Sequence, residues 1–202
     1  LVAQKMISEW LAANYLELIA AALGLIAIYL QIKQKVWYWP VSIVLVSLYI
    51  LVYIEAKLYA DMSLQVYYLI ISFYGWYHWL FGKRNEPGEK LPVSYVSRRL
   101  AIYLLLAGIA FFIIISFILV NFTDSDLPYW DAFHTALSFI ATWMLARKII
   151  ENWLVGIIVD AVSVGIYIYK GLYPTVVLFT VLTILAIVGY RAWKKDANKS
   201  AP

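Results

Sequence analysis

Apolar residues in this chain come in blocks rather than in alternation. Nearly unbroken apolar stretches fall at about 13–31, 36–54, 62–81, 99–121, 129–147, 152–169 and 173–193. Strands would alternate with period two, and a barrel strand needs only about ten residues. Blocks of about twenty residues match a helix, rising 1.5 Å per residue, that crosses a hydrocarbon core roughly 30 Å thick. The pattern predicts seven transmembrane helices. Most connections are short: Gln31–Lys35, Glu55–Asp61, Asn121–Tyr129, Arg147–Glu151 and Lys170–Gly171. One is longer, Gly82–Arg99, and carries the turn signal Asn85-Glu86-Pro87-Gly88.

Composition removes the soluble alternative. Hydrophobic residues make up 64% of the 202 residues and mean hydropathy is +0.80, against roughly 45–50% apolar residues in soluble domains. In lipid only helices and closed barrels satisfy their backbone groups, so an all-α integral membrane protein is expected. The first block has no leader-peptide order of basic, apolar and cleavable regions and reads as an anchor that stays. The net charge of +4 is spread over short loops, which speaks for topology and against nucleic acid as a partner. Lys5, Lys57 and Lys170 lie on one side of the seven spans, and the remaining 13 of the 16 basic residues on the other. Positive residues stay inside, so the N-terminus is expected outside and the C-terminus in the cytoplasm. Trp37, Trp39, Trp76, Trp79, Tyr129, Trp130 and Trp193 crowd the span ends, as an interfacial aromatic belt does.

The chain also resembles itself. At an offset of 114 residues, 29–79 lies over 143–193 without a gap. Trp39 meets Trp153, Tyr53 meets Tyr167, and Leu58-Tyr59 meets Leu172-Tyr173. Gly75 and Trp79 meet Gly189 and Trp193, and upstream Glu17 falls over Asp131. One span separates the halves, so both run in the same direction. The expected organisation is a 3+1+3 parallel repeat: a first three-helix bundle at 13–81, a linker helix at 99–121 and a second bundle at 129–193. This is the plan of the sugar-carrying SWEET transporters, with a substrate site near mid-membrane between the halves.

Polar groups inside spans are costly and mark function. On the third span Gln65, Tyr68, Ser72, Trp76 and Trp79 recur at helical spacing, and on the sixth so do Asn152, Gly156, Asp160, Ser163 and Tyr167, with Trp153 beside them. Two readings fit such stripes. They line a polar, aromatic-walled cavity, or they tie helices together by hydrogen bonds. Asp160 is the single acid deep in a span. Ionised, it needs a cation; protonated, it could bond across helices. His78 and His134 read as interfacial residues. With no cysteine and two scattered histidines, nothing suggests a metal site, a catalytic residue or a cofactor. An intramembrane enzyme would need clustered His, Asp or Glu.

The strings LYADMSLQVYYLIISFYGWYHW and ENWLVGIIVDAVSVGIYIYKGLYPTVVLF resemble the bacterial nicotinamide riboside transporter family, PnuC. The resemblance runs from Tyr15 to Trp193. It implies a homotrimer in the inner membrane, embedded in lipid, that passes a vitamin by facilitated diffusion. Riboside-specific members carry Trp-Asn-x-x-x-Trp at the start of the sixth span. Here that string reads Glu151-Asn152-Trp153-Leu154-Val155-Gly156, and Ser72 stands where Asn is common. The tryptophans of that string are gone at Glu151 and Gly156, the loss at Gly156 opens volume, and thiamine, also a cation with aromatic rings, suits Asp160 and the aromatic stripe. On this ground thiamine is expected slightly ahead of nicotinamide riboside.

Overall fold

The structure, a computed structural model, describes Ile19 and residues 22–55, 59–82, 91–169, 171 and 173–199. Lys5, Glu17, Lys57, Leu58, Lys83, Arg84, Lys90, Lys170 and Leu172, which enter the charge split or the self-alignment, lie outside the described residues. Among the described residues seven helices form: α1 (Ala22–Ile32), α2 (Tyr38–Glu55), α3 (Tyr59–Phe81), α4 (Arg98–Phe122), α5 (Pro128–Ala146), α6 (Asn152–Tyr169) and α7 (Tyr173–Lys199). Three stretches are long and apolar enough to cross a membrane by themselves: Arg98–Phe122, Asn152–Tyr169 and Thr175–Asn198.

Where residues are described the apolar blocks give the helices closely; α3 starts at Tyr59, ahead of its block, and the C-terminal helix differs most. α7 continues to Lys199 instead of ending at Trp193. Hydropathy stops at the membrane face, whereas helix propensity does not. Lys194, Lys195 and Ala197 favour helix, and lysines suit the negative end of the helix dipole. The extension is held in place: Ala197 is buried, and the Tyr95 hydroxyl bonds Asn198 Oδ1 at 3.0 Å.

The chain divides into two compact units, Leu1–Trp76 and Tyr77–Pro202. In the first, Trp39 at the start of α2 is wholly buried and lies on Gly75 of α3, where an added Cβ would come within 2.3 Å of the indole. In the second, α4 packs on α5, α5 on α6 and α6 on α7. Here Trp153 at the start of α6 is buried on Gly189 of α7, where an added Cβ would come within 2.5 Å. The same contact thus recurs at the offset of 114 seen in the sequence.

The corner before each tryptophan recurs as well. Gln34 and Lys148, 114 residues apart, hold φ of 52° and 55°. Gln34 N–H bonds Gln31 O at 3.0 Å and Lys35 N–H bonds Leu30 O at 2.9 Å. The partner corner has Lys148 N–H on Leu145 O at 2.9 Å and Ile149 N–H on Met144 O at 2.9 Å. Both are Schellman helix ends, whose left-handed residue is usually glycine. With Gln and Lys there instead, the turn is not announced by residue type.

The Gly–Trp contacts carry a prediction. Gly75→Val and Gly189→Val force atoms into a buried indole, an overpacking cost of about 1–3 kcal/mol each. Each should lower the melting temperature in detergent by several degrees, measured by fluorescence. Gly24→Val is the control, since a Cβ at Gly24 meets nothing within 4 Å.

Two expectations about the polar end change. Lys148 stands among the loop charges in the sequence reading, yet it is only 2% exposed. The left-handed corner turns its side chain inward, where Nζ bonds Leu91 O at 2.7 Å and sits 5.0 Å over the Trp79 ring. A carbonyl and an indole face replace part of the lost hydration. The described part of the long connection, residues 91–97, is tied down by pairing. Ser94 N–H bonds Lys148 O at 3.1 Å, Ile150 N–H bonds Ser94 O at 3.0 Å, and Val96 N–H bonds Glu151 Oε2 at 3.0 Å. Leu91 and Val93 are buried beneath this short parallel bridge.

Candidate functional site

On α3, Val66, Ile70, Phe73, Tyr77 and Leu80 are exposed, a continuous apolar face. Gln65, Tyr68 and Trp76 are half-buried and Ser72 is buried. On α6 the exposed face is Leu154, Ile158, Ala161, Gly165 and Ile168. Asn152, Trp153 and Ser163 are buried, and Gly156, Asp160 and Tyr167 half-buried. Each polar stripe therefore turns away from the lipid-facing side of its own helix. Desolvation drives this arrangement, because an amide or carboxyl in hydrocarbon finds no partner.

In the first unit, Ser72 Oγ donates to Tyr68 O at 2.7 Å and lies 3.2 Å from Ser42 Oγ on α2. The Tyr67 and Tyr68 rings meet edge-on, with centroids 5.6 Å apart. Ser42 escapes a reading of stripes on single helices, since its role appears only when α2 and α3 are set together.

In the second unit the stripe splits by task. Asn152 Nδ2 donates to Ile149 O at 2.6 Å, which closes the corner. Trp153 has its face on Gly189 and its edge on Trp193, with ring centroids 5.6 Å apart. Ser163 Oγ bonds Val159 O at 2.9 Å within its own helix. Tyr167 stacks on Phe179 of α7 at 5.3 Å, and Phe179 meets His134 of α5 edge-on at 6.5 Å. Phe179 is also absent from the sequence reading, although the offset of 114 sets it opposite Gln65. Asp131 accepts from Ser125 Oγ at 2.6 Å.

Asp160 differs from its neighbours. Among the described residues none donates a hydrogen bond to its carboxylate or forms an ion pair with it. One turn earlier, a Cβ on Gly156 would meet nothing within 4 Å. The self-alignment shows how the space arises. Ser42, Val46 and Ser72 of the first half correspond to Gly156, Asp160 and Ala186 of the second. The first half closes a Ser42–Ser72 contact, while the second has glycine and alanine there and an acid below. Chemically, this is a carboxyl group one turn from a glycine with open space around it.

Glu151 takes the place of the first tryptophan of the Trp-Asn-x-x-x-Trp string. Its carboxylate accepts the Val96 amide at 3.0 Å and fixes the linker. Among the described residues no His, Asp and Glu cluster could hold a metal.

A family profile described as nicotinamide mononucleotide transporter matches residues 14–195. The nicotinamide riboside transporter PnuC of Escherichia coli (strain K12) is 25% identical over 209 residues, covering 92% of this chain and 87% of the relative. The riboflavin/roseoflavin transporter RibM of Streptomyces davaonensis is 22% identical, covering 88% and 83%. A crystal structure of the vitamin B3 transporter PnuC superposes with a TM-score of 0.74 at 19% identity, covering 98% of this chain and 88% of that one. That last likeness speaks for the fold.

Proposed function

The chain belongs to the nicotinamide mononucleotide transporter family, and from that membership we propose that it is a membrane facilitator for nicotinamide riboside. The observation that carries this reading is Asp160, a carboxylate without a described partner beside the open space at Gly156. Nicotinamide riboside is a pyridinium cation on a sugar, so a carboxylate compensates its charge and aromatic walls stack on its ring. We infer that each polar stripe is a ligand-binding face of its own helix: Asp160, Ser163 and Tyr167 on α6, and Gln65, Tyr68, Ser72 and Trp76 on α3. Asn152 and Trp153 shape the floor from the corner. Thiamine, also a cationic heteroaromatic, is the second reading. Its support is the open space at Gly156, while the carboxylate of Glu151 is committed to Val96.

The same proposal includes the 3+1+3 parallel repeat, similar in plan to the SWEET transporters. Its support is the recurrence of corner, tryptophan and glycine at one offset. Trp79 and Trp193, equivalent at the same offset, also meet with ring centroids 6.1 Å apart. Transport is passive: bundles that relay protons hold chains of Asp, Glu or His, and Asp160 is alone on its stripe. A homotrimer in a bacterial inner membrane follows from the family resemblance.

Calorimetry on the purified protein tests the ligand. Nicotinamide riboside should bind more tightly than thiamine. Tighter binding of thiamine would reverse the order, and binding of neither would remove the reading. Orientation is tested separately in this cysteine-free chain. In intact cells an impermeant maleimide should label Asp124→Cys and spare Lys195→Cys, and the opposite pattern would invert the topology.

A further inference from the structure

We propose that the crevice between α4 and α5 is a binding site for one anionic phospholipid of the leaflet at the basic end of the bundle. The crevice holds about 520 Å³. α4 contributes Ala101, Leu105 and Phe112 to its wall, and α5 contributes Phe133, Ala136 and Met144, all without a polar side chain. Ala101 and Leu105 are exposed, so the crevice opens sideways onto the surrounding bilayer.

Its length selects the occupant. From Ala101 to Phe112, and from Met144 back to Phe133, each wall runs twelve residues, or eleven steps, roughly 16 Å of helix at 1.5 Å per residue. Half of a roughly 30 Å hydrocarbon core is about 15 Å. The slot is as deep as one leaflet and fits an extended acyl chain. Small residues, Gly108 and Ala136, face each other's helix where the slot passes between them; a Cβ on Gly108 would touch only Ile140, at 3.8 Å.

Charge selects the headgroup. The slot begins at Val96 and Ala101, and the exposed Arg98 and Arg99 lie between these two lining residues. On the other wall the exposed Arg147 follows Met144 within one turn, its guanidinium 5.6 Å from the Trp143 ring. An acyl chain in the slot brings its phosphate to this end, where basic side chains next to a membrane favour anionic lipid. The far end, at Phe112 and Phe133, lies deep among apolar residues. A second copy of the chain is the alternative cover for α4, and the cross-linking arm of the test decides it.

The experiment titrates the delipidated full-length protein with phosphatidylglycerol or phosphatidylcholine of identical chains, read by native mass spectrometry. Bound lipid is counted without any transport assay, so failure here and failure of the carrier reading are separate results. The expected result is a preference of about tenfold for phosphatidylglycerol. Arg98→Gln with Arg99→Gln should abolish that preference and leave phosphatidylcholine unchanged. Gly108→Leu, which fills the slot, should reduce both lipids at least about fivefold. Ala101→Leu, at an exposed lining position, replaces it should Gly108→Leu fail to fold. Equal binding of the two lipids to the wild type overturns the proposal, as does unchanged binding when the slot is filled. So does cross-linking between copies through Leu105→Cys with no lipid retained.

Discussion

Asp160→Asn is expected to weaken a cationic vitamin by about ten- to a hundredfold and a neutral analogue of the same shape by less than about threefold. A hydrogen bond or contact to a charged group contributes about 1.5–3 kcal/mol, and every 1.4 kcal/mol is a factor of ten in affinity. Asparagine keeps the volume and the acceptor oxygen but removes the charge. The carboxylate has no described partner to lose, so the substitution should leave the melting temperature unchanged or raise it. Calorimetry with the cation and the neutral analogue, beside a melting curve, separates the two effects. Equal weakening of both ligands would show that Asp160 shapes the helix instead of meeting the charge.

Lys148→Ala should act in the opposite sense, on stability before ligand. It leaves Leu91 O buried without its donor, at about 1–3 kcal/mol, and loses the cation–π contact with Trp79, about 0.5–2 kcal/mol. A total near 3 kcal/mol lowers the melting temperature by roughly 6–12 °C in a chain of this size. The loss should be local as well. Amide exchange should accelerate first at Ser94 and Ile150, whose N–H groups bond Lys148 O at 3.1 Å and Ser94 O at 3.0 Å. Lys148→Met, which keeps the stem, should retain more of the stability. Acceleration spread evenly over all helices would mean that Lys148 is not the tie between linker and corner.

Much of this architecture can be read from the chain, because lipid imposes a simple rule on it. An apolar block long enough to cross becomes a helix, and α6 runs over the residues its block predicts, 152–169. The rule fails where the membrane ends. α7 outruns its block because helix propensity ignores the interface, and the linker at 91–97 pairs with the corner although its sequence reads as loop. Lys148 misleads for a related reason. Charge predicts exposure, but a left-handed corner aims this ammonium at a carbonyl. Helical spacing found the polar stripes, since burial repeats with the helix turn. It could not separate residues whose polar atoms are spent locally, such as Asn152 and Ser163, from Asp160, whose carboxylate has no partner among the described residues. That distinction needs neighbouring helices, as do the pairing of Ser42 with Ser72 and the stacking of Phe179 on Tyr167. The acid at Glu151 was likewise visible in the sequence, and its partner, Val96, was not.

The central claim is passive carriage of nicotinamide riboside, and counterflow in proteoliposomes tests it most directly. Vesicles loaded with unlabelled nicotinamide riboside should take up the labelled compound transiently and saturably. The rate should not respond to an imposed proton gradient, and without internal substrate the label should equilibrate and not exceed its external concentration. Thiamine should compete weakly, and Asp160→Asn should suppress the exchange. Accumulation above equilibrium under a proton gradient, or no exchange from a protein that stays folded, would contradict the account.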